Sequence, residues 1–224
     1  MLVAAASDLI EIQGALAQGF EAQSGAKVRF TFGASGNLAQ QVANGAPYDV
    51  FLSADEQRVK DLAPSGDPDF GGVEVYAQGR LALWSKTGKI ANLTALSAPG
   101  ILHVAIANPA HAPYGIAAKQ ALENAGLWKS LEKKIVYGES VRQALEYAES
   151  GNADAVITAW SLVIHRKGIL IPADLHNPIR QAGAALKGGK NPEGGAAFLR
   201  FLLSPQGRAL LSNAGFDMAP ARQP

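Results

Sequence analysis

Hydrophobic and polar residues alternate along this chain in short blocks that predict strands and helices in turn. Short apolar runs, typical of buried strands, stop at small residues and give way to stretches with apolar side chains at helical spacing. The first predicted helix carries Leu9, Ile12, Leu16 and Phe20 on one face. This rhythm predicts an α/β fold with helix-covered sheets.

The longer elements predict how the chain is divided. Helical stretches are expected after the loop that ends at Gly115, to about Lys133, and from Glu193 to Ala214. The strand-rich piece from Val73 to Ser85 is long enough to pass from one lobe to another, and Ile179 to Leu186 would lead back. We therefore expect a first lobe of residues 1–80 and 179–224 and a second lobe of residues 81–178, with a cleft and a hinge between them.

Two short turns carry a serine at a predicted helix start. Ser7 follows Ala4-Ala5-Ala6, and Ser35 follows Phe32-Gly33-Ala34. The first N–H groups of a helix have no partner within it, the helix dipole is positive there, and a hydroxyl adds a donor. The turns therefore predict an oxyanion site. The alternative is that each serine only caps its helix, since serine is a common N-cap.

Other loops are expected to lie beside these turns. Ligands of open α/β sheets bind beyond the carboxyl ends of the strands, where the loops at Pro113-Tyr114 and Ser140-Val141 also fall. Asp8 follows the first serine. We expect its carboxylate to point away from an anion while its N–H remains a possible contact. The alternative is that Asp8 has no role in binding and is present only because the positive end of the helix dipole stabilises a carboxylate.

Composition narrows the function classes. The 224 residues include 20 Lys+Arg and 19 Asp+Glu without a basic block, which argues against a nucleic-acid partner. Cysteine is absent, and His165 and His176 lack ligand spacing, so neither a cofactor nor a metal-cation site is expected. No signal peptide precedes Leu2, yet the chain begins almost inside its first strand. We expect an exported protein whose leader has been removed.

Six short segments form an ordered set of motifs along the chain. They are Ala-Ala-Ser-Asp-Leu at 5–9, Phe-Gly-Ala-Ser-Gly-Asn-Leu at 32–38, Gly-Ala-Pro-Tyr-Asp-Val-Phe-Leu-Ser-Ala-Asp at 45–55, Asn-Pro-Ala-His-Ala-Pro-Tyr-Gly at 108–115, Gly-Glu-Ser-Val-Arg-Gln-Ala at 138–144 and Ser-Pro-Gln-Gly at 204–207. Together they resemble the periplasmic molybdate-binding proteins, the substrate-binding components of molybdate ABC transporters. Each segment alone is a weak match, but the six in the right order are specific and cover nearly the whole chain.

The resemblance implies a two-lobed, type II periplasmic-binding fold, each lobe a mixed sheet flanked by helices, that closes on molybdate or tungstate in the interlobe cleft. It implies Ser7 and Ser35 as ligands through hydroxyl and N–H, and Tyr114 and Val141 through the main chain. Molybdenum would be present only as the oxyanion, without direct protein ligands. Many relatives have a ligand tyrosine where this chain has Ala159, and the Tyr114 phenol is the expected replacement.

The resemblance further implies a monomeric periplasmic receptor that docks on a membrane permease with its ATPase and does no chemistry. Three alternatives stay open. The first is a binding protein for another ligand, such as sulfate, phosphonate or a small organic acid. An enzyme on the same scaffold would need a general base, and no nucleophile elbow or P-loop is present. The sensing domain of a transcription regulator would need an attached helix-turn-helix, for which 224 residues leave no room.

Overall fold

The structure, a computed structural model, describes residues 1–62 and 72–218. Its strands are β1 (Leu2–Ala6), β2 (Arg29–Gly33), β3 (Val50–Ser53), β4 (Glu74–Gly79), β5 (Leu81–Trp84), β6 (Val104–Ala107), β7 (Ile135–Gly138), β8 (Ala155–Ala159), β9 (Ile169–Leu170) and β10 (Ile179–Ala185). Its α-helices are α1 (Gln13–Ser24), α2 (Ser35–Ala43), α3 (Glu56–Leu62), α4 (Pro113–Asn124), α5 (Trp128–Leu131), α6 (Val141–Ser150), α7 (Trp160–Val163), α8 (Pro192–Leu203) and α9 (Pro205–Asn213). Short 3₁₀ helices span Ser7–Ile12, Leu93–Ser97, Glu132–Lys134 and Ala173–Leu175.

The chain forms two compact units. Unit 1 consists of Met1–Gln78 and Arg180–Pro224, and unit 2 of Gly79–Ile179. The chain therefore passes between the units twice, at the end of β4 and at the start of β10. Among the described residues, no helix is both long and apolar enough to cross a membrane.

Each unit contains a five-stranded mixed sheet with the same topology. The strand order is β2-β1-β3-β10-β4 in unit 1 and β7-β6-β8-β5-β9 in unit 2. The first three strands of each order are parallel, and the fourth, β10 or β5, is antiparallel to the third. In both units this antiparallel strand is the one that enters from the other unit. The topology is thus repeated although the sequence shows no internal repeat.

Both faces of the unit 1 sheet are buried by helices. Val3 and Ala5 of β1 belong to a cluster that includes side chains of α1, α8 and α9, whereas Ala4 between them belongs to the cluster on the other face. The rings of Phe20 and Phe198 meet edge to face at 5.2 Å in the first cluster. In unit 2 the buried strands β6 and β8 pack against α4 and α6. The predicted α/β class, with mixed sheets flanked by helices, is confirmed.

The helix predicted after Gly115 to about Lys133 is wrong in both bounds, because it already begins at Pro113. It ends at Asn124, and α5 and a 3₁₀ turn follow. Gly126 lies between them with a φ of +71°, a left-handed conformation that glycine adopts readily and that ends helices.

The helix predicted from Glu193 to Ala214 is in fact two helices, α8 and α9. Ser204 separates them in an extended conformation, and its hydroxyl accepts the Gly207 N–H at 3.2 Å as the cap of α9. Pro205 explains the break, because proline has no N–H to continue the preceding helix and disfavours helical geometry in the residue before it.

Asp49 connects three segments of unit 1. Its carboxylate accepts the Leu2 N–H at 2.7 Å through Oδ2 and the Asn191 N–H at 2.6 Å through Oδ1. Only 2% of Asp49 is exposed. One side chain therefore holds the starts of β1 and β3 and the segment before α8 together.

Replacing Asp49 with alanine should destabilise the protein strongly. The Asp49→Ala change leaves the Leu2 and Asn191 N–H groups without their acceptor, and hydrogen bonds to a charged group contribute about 1.5–3 kcal/mol each. We expect the free energy of unfolding, measured by urea denaturation, to fall by about 3 kcal/mol or more.

The matched control is Asp55→Ala. The Asp55 carboxylate accepts the Gln57 N–H at 2.9 Å at the surface, and its removal should lower the free energy of unfolding by about 1 kcal/mol. Equal losses in the two variants would contradict the role given to Asp49.

Candidate functional site

The two serine turns of unit 1 lie at one edge of its sheet. Ser7 comes directly after β1 and Ser35 shortly after β2, and Ala6 is paired with Gly33 in these neighbouring parallel strands. Only 4% of Ser7 and 1% of Ser35 is exposed. The structure therefore brings the two predicted ligand serines to adjacent strand ends.

Neither serine is the N-cap of the helix it begins. The caps are Ala6 and Ala34, both in extended geometry, and each serine is the first residue inside its helix. Ser140 behaves differently, because it is the N-cap of α6 and its hydroxyl accepts the Gln143 N–H at 3.2 Å. The alternative that Ser7 and Ser35 serve only as caps is wrong.

The Ser35 hydroxyl ties a third turn to the pair. It accepts the N–H of Ala54, the residue after β3, at 3.0 Å in a buried position. A serine hydroxyl that accepts one hydrogen bond keeps its own O–H as a donor. Ser35 therefore links the turns after β2 and β3 and retains a proton to donate.

Asp8 is engaged in a buried chain of hydrogen bonds. Gln181 Nε2 donates to Asp8 Oδ2 at 2.6 Å, and the Tyr76 hydroxyl donates to Gln181 Oε1 at 3.1 Å. At most 1% of each of these residues is exposed. Burial, and then the negative charge of Asp8, raises the pKa of Tyr76 well above its ordinary value, which keeps the phenol protonated as a donor.

Sequence reasoning missed Gln181 and Tyr76. Gln181 lies 173 positions from Asp8 in the sequence, and Tyr76 lies 105 positions from Gln181. The available signal was a single amide in the otherwise apolar stretch of β10 from Gln181 to Ala185. Such a residue, when buried, needs polar partners.

The predicted residues of unit 2 repeat the arrangement of unit 1. Tyr114 is the second residue of α4, which follows β6, and Val141 is the first residue of α6, which follows β7. Ala107 and Gly138 are paired in these neighbouring parallel strands. Only 3% of Tyr114 and 4% of Val141 is exposed. The four predicted residues thus form two pairs, one in each unit.

Specific hydrogen bonds fix the two helix starts of unit 2. The Thr158 hydroxyl of β8 donates to the Val141 carbonyl at 3.2 Å, and Ser140 caps the same helix. Before α4, the Asn108 N–H donates to the Gly138 carbonyl at 2.8 Å, and Asn108 Oδ1 accepts the Ala110 N–H at 3.0 Å. The first N–H groups of both helices are therefore held in place at the strand ends.

Ala159, where many relatives have a tyrosine, ends β8 and is the extended N-cap of α7. It is completely buried. Because β8 is parallel to β6, Ala159 and Tyr114 lie at the same edge of the unit 2 sheet.

The arginine beside the start of α6 is paired within its own helix. Arg142, next to Val141, forms ion pairs at 3.2 Å with Glu146 and with Glu149. Its guanidinium is thus engaged along α6. Within residues 1–62 and 72–218, no group of three or more His, Asp or Glu side chains is placed to hold a metal ion.

Comparisons with known proteins show the family and agree with the fold. The model of the bacterial extracellular solute-binding protein family matches residues 1–217. The molybdate-binding protein ModA of Rhodobacter capsulatus is 36% identical over 220 residues, covering 96% of this chain and 87% of that protein. ModA of Azotobacter vinelandii is 35% identical over 225 residues, covering 96% and 89%.

A solved structure is also similar. The periplasmic molybdate-binding protein of Azotobacter vinelandii superposes with a TM-score of 0.91 at 33% identity, covering 98% of this chain and 100% of that chain. The matches confirm the resemblance inferred from the six segments and the two-lobed fold class.

The start of α4 depends on Gly115. A Cβ at this position would lie 2.1 Å from the Ala107 carbonyl oxygen, so the Gly115→Ala change must displace α4 from β6. We expect the free energy of unfolding to fall by about 1–3 kcal/mol, with a lower melting temperature by circular dichroism. The control is Gly100→Ala in the same unit, where a Cβ meets nothing within 4 Å. If the two variants melt alike, close packing does not fix this helix start.

Proposed function

Because the chain belongs to the bacterial extracellular solute-binding protein family, we propose that it binds molybdate, and tungstate with it, for delivery to an ABC permease. One observation carries the proposal. Each unit presents two buried helix starts at the ends of adjacent parallel strands. The two ModA proteins, both named for molybdate, support this choice of ligand.

The proposed site consists of neutral donors. Ser7 and Ser35 donate through hydroxyl and N–H groups, Tyr114 and Val141 donate through N–H groups, and the Asp8 N–H is a possible further contact. A dianion buried without a cation needs its oxygen lone pairs satisfied by such donors.

The affinity expected from these donors is high. Hydrogen bonds to a charged group contribute about 1.5–3 kcal/mol each. Half a dozen of them, less the cost of association and closure, leave about −9 to −11 kcal/mol. This free energy corresponds to a dissociation constant of about 10–300 nM.

The Tyr114 phenol takes the place of the tyrosine that many relatives have at the position of Ala159. Tyr114 follows β6, Ala159 ends β8, and these neighbouring strands are parallel. Tyr114 is the second residue of α4, which follows β6, and this position at the same edge of the sheet as Ala159 supports the replacement.

An inorganic oxyanion suits the site better than an organic acid. A ligand carboxylate usually recruits a bidentate arginine. Arg142 is the arginine of the four turns, and its guanidinium is already paired with Glu146 and Glu149. Sulfate or phosphonate remains the second candidate, because neutral donors would bind these anions too.

Members of this family are the solute-binding components of transport systems. We propose further that this protein is an exported, periplasmic monomer that docks on a permease with its ATPase. It carries out no reaction on the ligand and uses no cofactor. An enzyme on the same scaffold would need a general base near Ser7 or Ser35, and Asp8, the nearest in sequence, is engaged with Gln181.

Isothermal titration calorimetry of ligand-free protein with molybdate, tungstate, sulfate and phosphate tests the function. We expect one-to-one binding of molybdate and tungstate with a dissociation constant of about 10–300 nM, and no heat from sulfate or phosphate. Binding of sulfate alone would assign a different transporter. Absence of a binding heat with all four anions would contradict the oxyanion site.

Replacing either unit 1 serine should weaken molybdate binding. Ser7→Ala and Ser35→Ala each remove a donor to a charged ligand, so the dissociation constant should rise about 10- to 150-fold. Ser35→Ala also removes the acceptor of the Ala54 N–H, so thermal unfolding is measured alongside binding.

The matched control is Ser204→Ala, which removes a capping hydroxyl in the same unit. It should lower stability and leave the affinity unchanged. A serine variant that retains the original affinity would exclude that serine from the site.

A further inference from the structure

The hydrogen-bonded chain from Asp8 through Gln181 to Tyr76 connects the first serine turn to both crossings of the chain. Asp8 directly follows Ser7. Gln181 of β10 is the second residue after the chain re-enters unit 1, and Tyr76 of β4 lies two residues before Gln78, where the chain leaves it. Three segments distant in sequence thus meet through three side chains.

The directions of the hydrogen bonds are determined by chemistry. An ionised carboxylate can only accept, so the group of Gln181 that faces Asp8 Oδ2 is its NH₂ group. The amide oxygen Oε1 of Gln181 then accepts from the Tyr76 hydroxyl. Tyr76 therefore helps to hold the Gln181 amide with its NH₂ group towards the carboxylate.

We propose that Gln181 and Tyr76 are positioning residues for the ligand, which hold the Ser7 turn in its binding geometry through Asp8. This inference rests on the proposed function for its ligand. A binding group must be held within about 0.5 Å of its productive position by residues that are themselves fixed. Gln181 restrains the residue next to Ser7, and Tyr76 restrains Gln181.

Two single variants test the chain, with molybdate as the calorimetric probe. Tyr76→Phe removes only the hydroxyl, and Gln181→Met removes both hydrogen bonds at similar volume. We expect the dissociation constant to rise about 3- to 10-fold in each variant.

The control for lost stability is Tyr48→Phe. The Tyr48 hydroxyl donates to Gln41 Oε1 at 2.6 Å in the same unit, just before β3 begins and therefore away from the carboxyl strand ends. This variant loses the same type of bond and should keep its affinity. Unchanged affinity in Tyr76→Phe and Gln181→Met, or an equal loss in Tyr48→Phe, would overturn the proposal.

A reciprocal exchange gives a readout that lost packing alone would not produce. Gln181→Glu places a second carboxylate against Asp8 and should weaken binding most. Adding Asp8→Asn restores a donor opposite an acceptor, now with the amide at position 8 and the carboxylate at position 181. The Tyr76 hydroxyl still has an oxygen to donate to. The double variant should recover affinity relative to Gln181→Glu, and failure to recover it would count against the proposal.

Hydrogen exchange of the ligand-free protein separates this proposal from the proposed function. In Gln181→Met and Tyr76→Phe, the backbone amides of residues 7–9 should exchange faster than in Tyr48→Phe. If the unaltered protein binds none of the four anions but the turn exchanges faster in these variants, the function fails and the positioning role stands. If molybdate binds and neither exchange nor affinity changes, the positioning role fails and the function stands.

Discussion

Under the proposed function, the need to satisfy an anion buried without a cation is the constraint on which the candidate site depends. Helix starts supply the donors, because their first N–H groups have no partner within the helix. Ser7 and Ser35, as first helical residues, combine such an N–H with a hydroxyl. A serine at the cap position, such as Ser140, gives its oxygen to its own helix instead. A shift of one position thus separates a structural serine from a potential ligand.

The two units meet this constraint with the same topology and different side chains. Each places two helix starts after adjacent parallel strands, and each has an antiparallel strand that arrives from the other unit. Unit 1 adds serine hydroxyls, while unit 2 relies on main chain held by Thr158 and Asn108. Close approach of helix to strand matters most in unit 2, where a Cβ on Gly138 would lie 2.6 Å from the Ala144 nitrogen.

Much of the fold and half of the candidate site followed from local patterns. Ser7 and Ser35 end apolar runs before helical periodicity, so their place at strand ends could be predicted from neighbouring residues. Tyr114 and Val141 required the family resemblance, because nothing local distinguishes their N–H groups. The break before Pro205 was visible in the sequence, since proline interrupts helices. Gln181 could not be assigned to Asp8, because their contact depends on strand order rather than on sequence.

Neutral hydrogen-bond donors also discriminate between anions by the protonation state of the anion. Molybdate and tungstate are fully deprotonated near neutral pH, whereas phosphate retains a proton and needs an acceptor. Asp8 carries the carboxylate nearest in sequence to the serine turn, and its Oδ2 already accepts from Gln181. This contact occupies one of the acceptor positions of the Asp8 carboxylate that a protonated anion would use. Sulfate carries no proton under these conditions, so discrimination against it would rest on size, through the longer metal–oxygen bonds of molybdate and the rigidity of the turns.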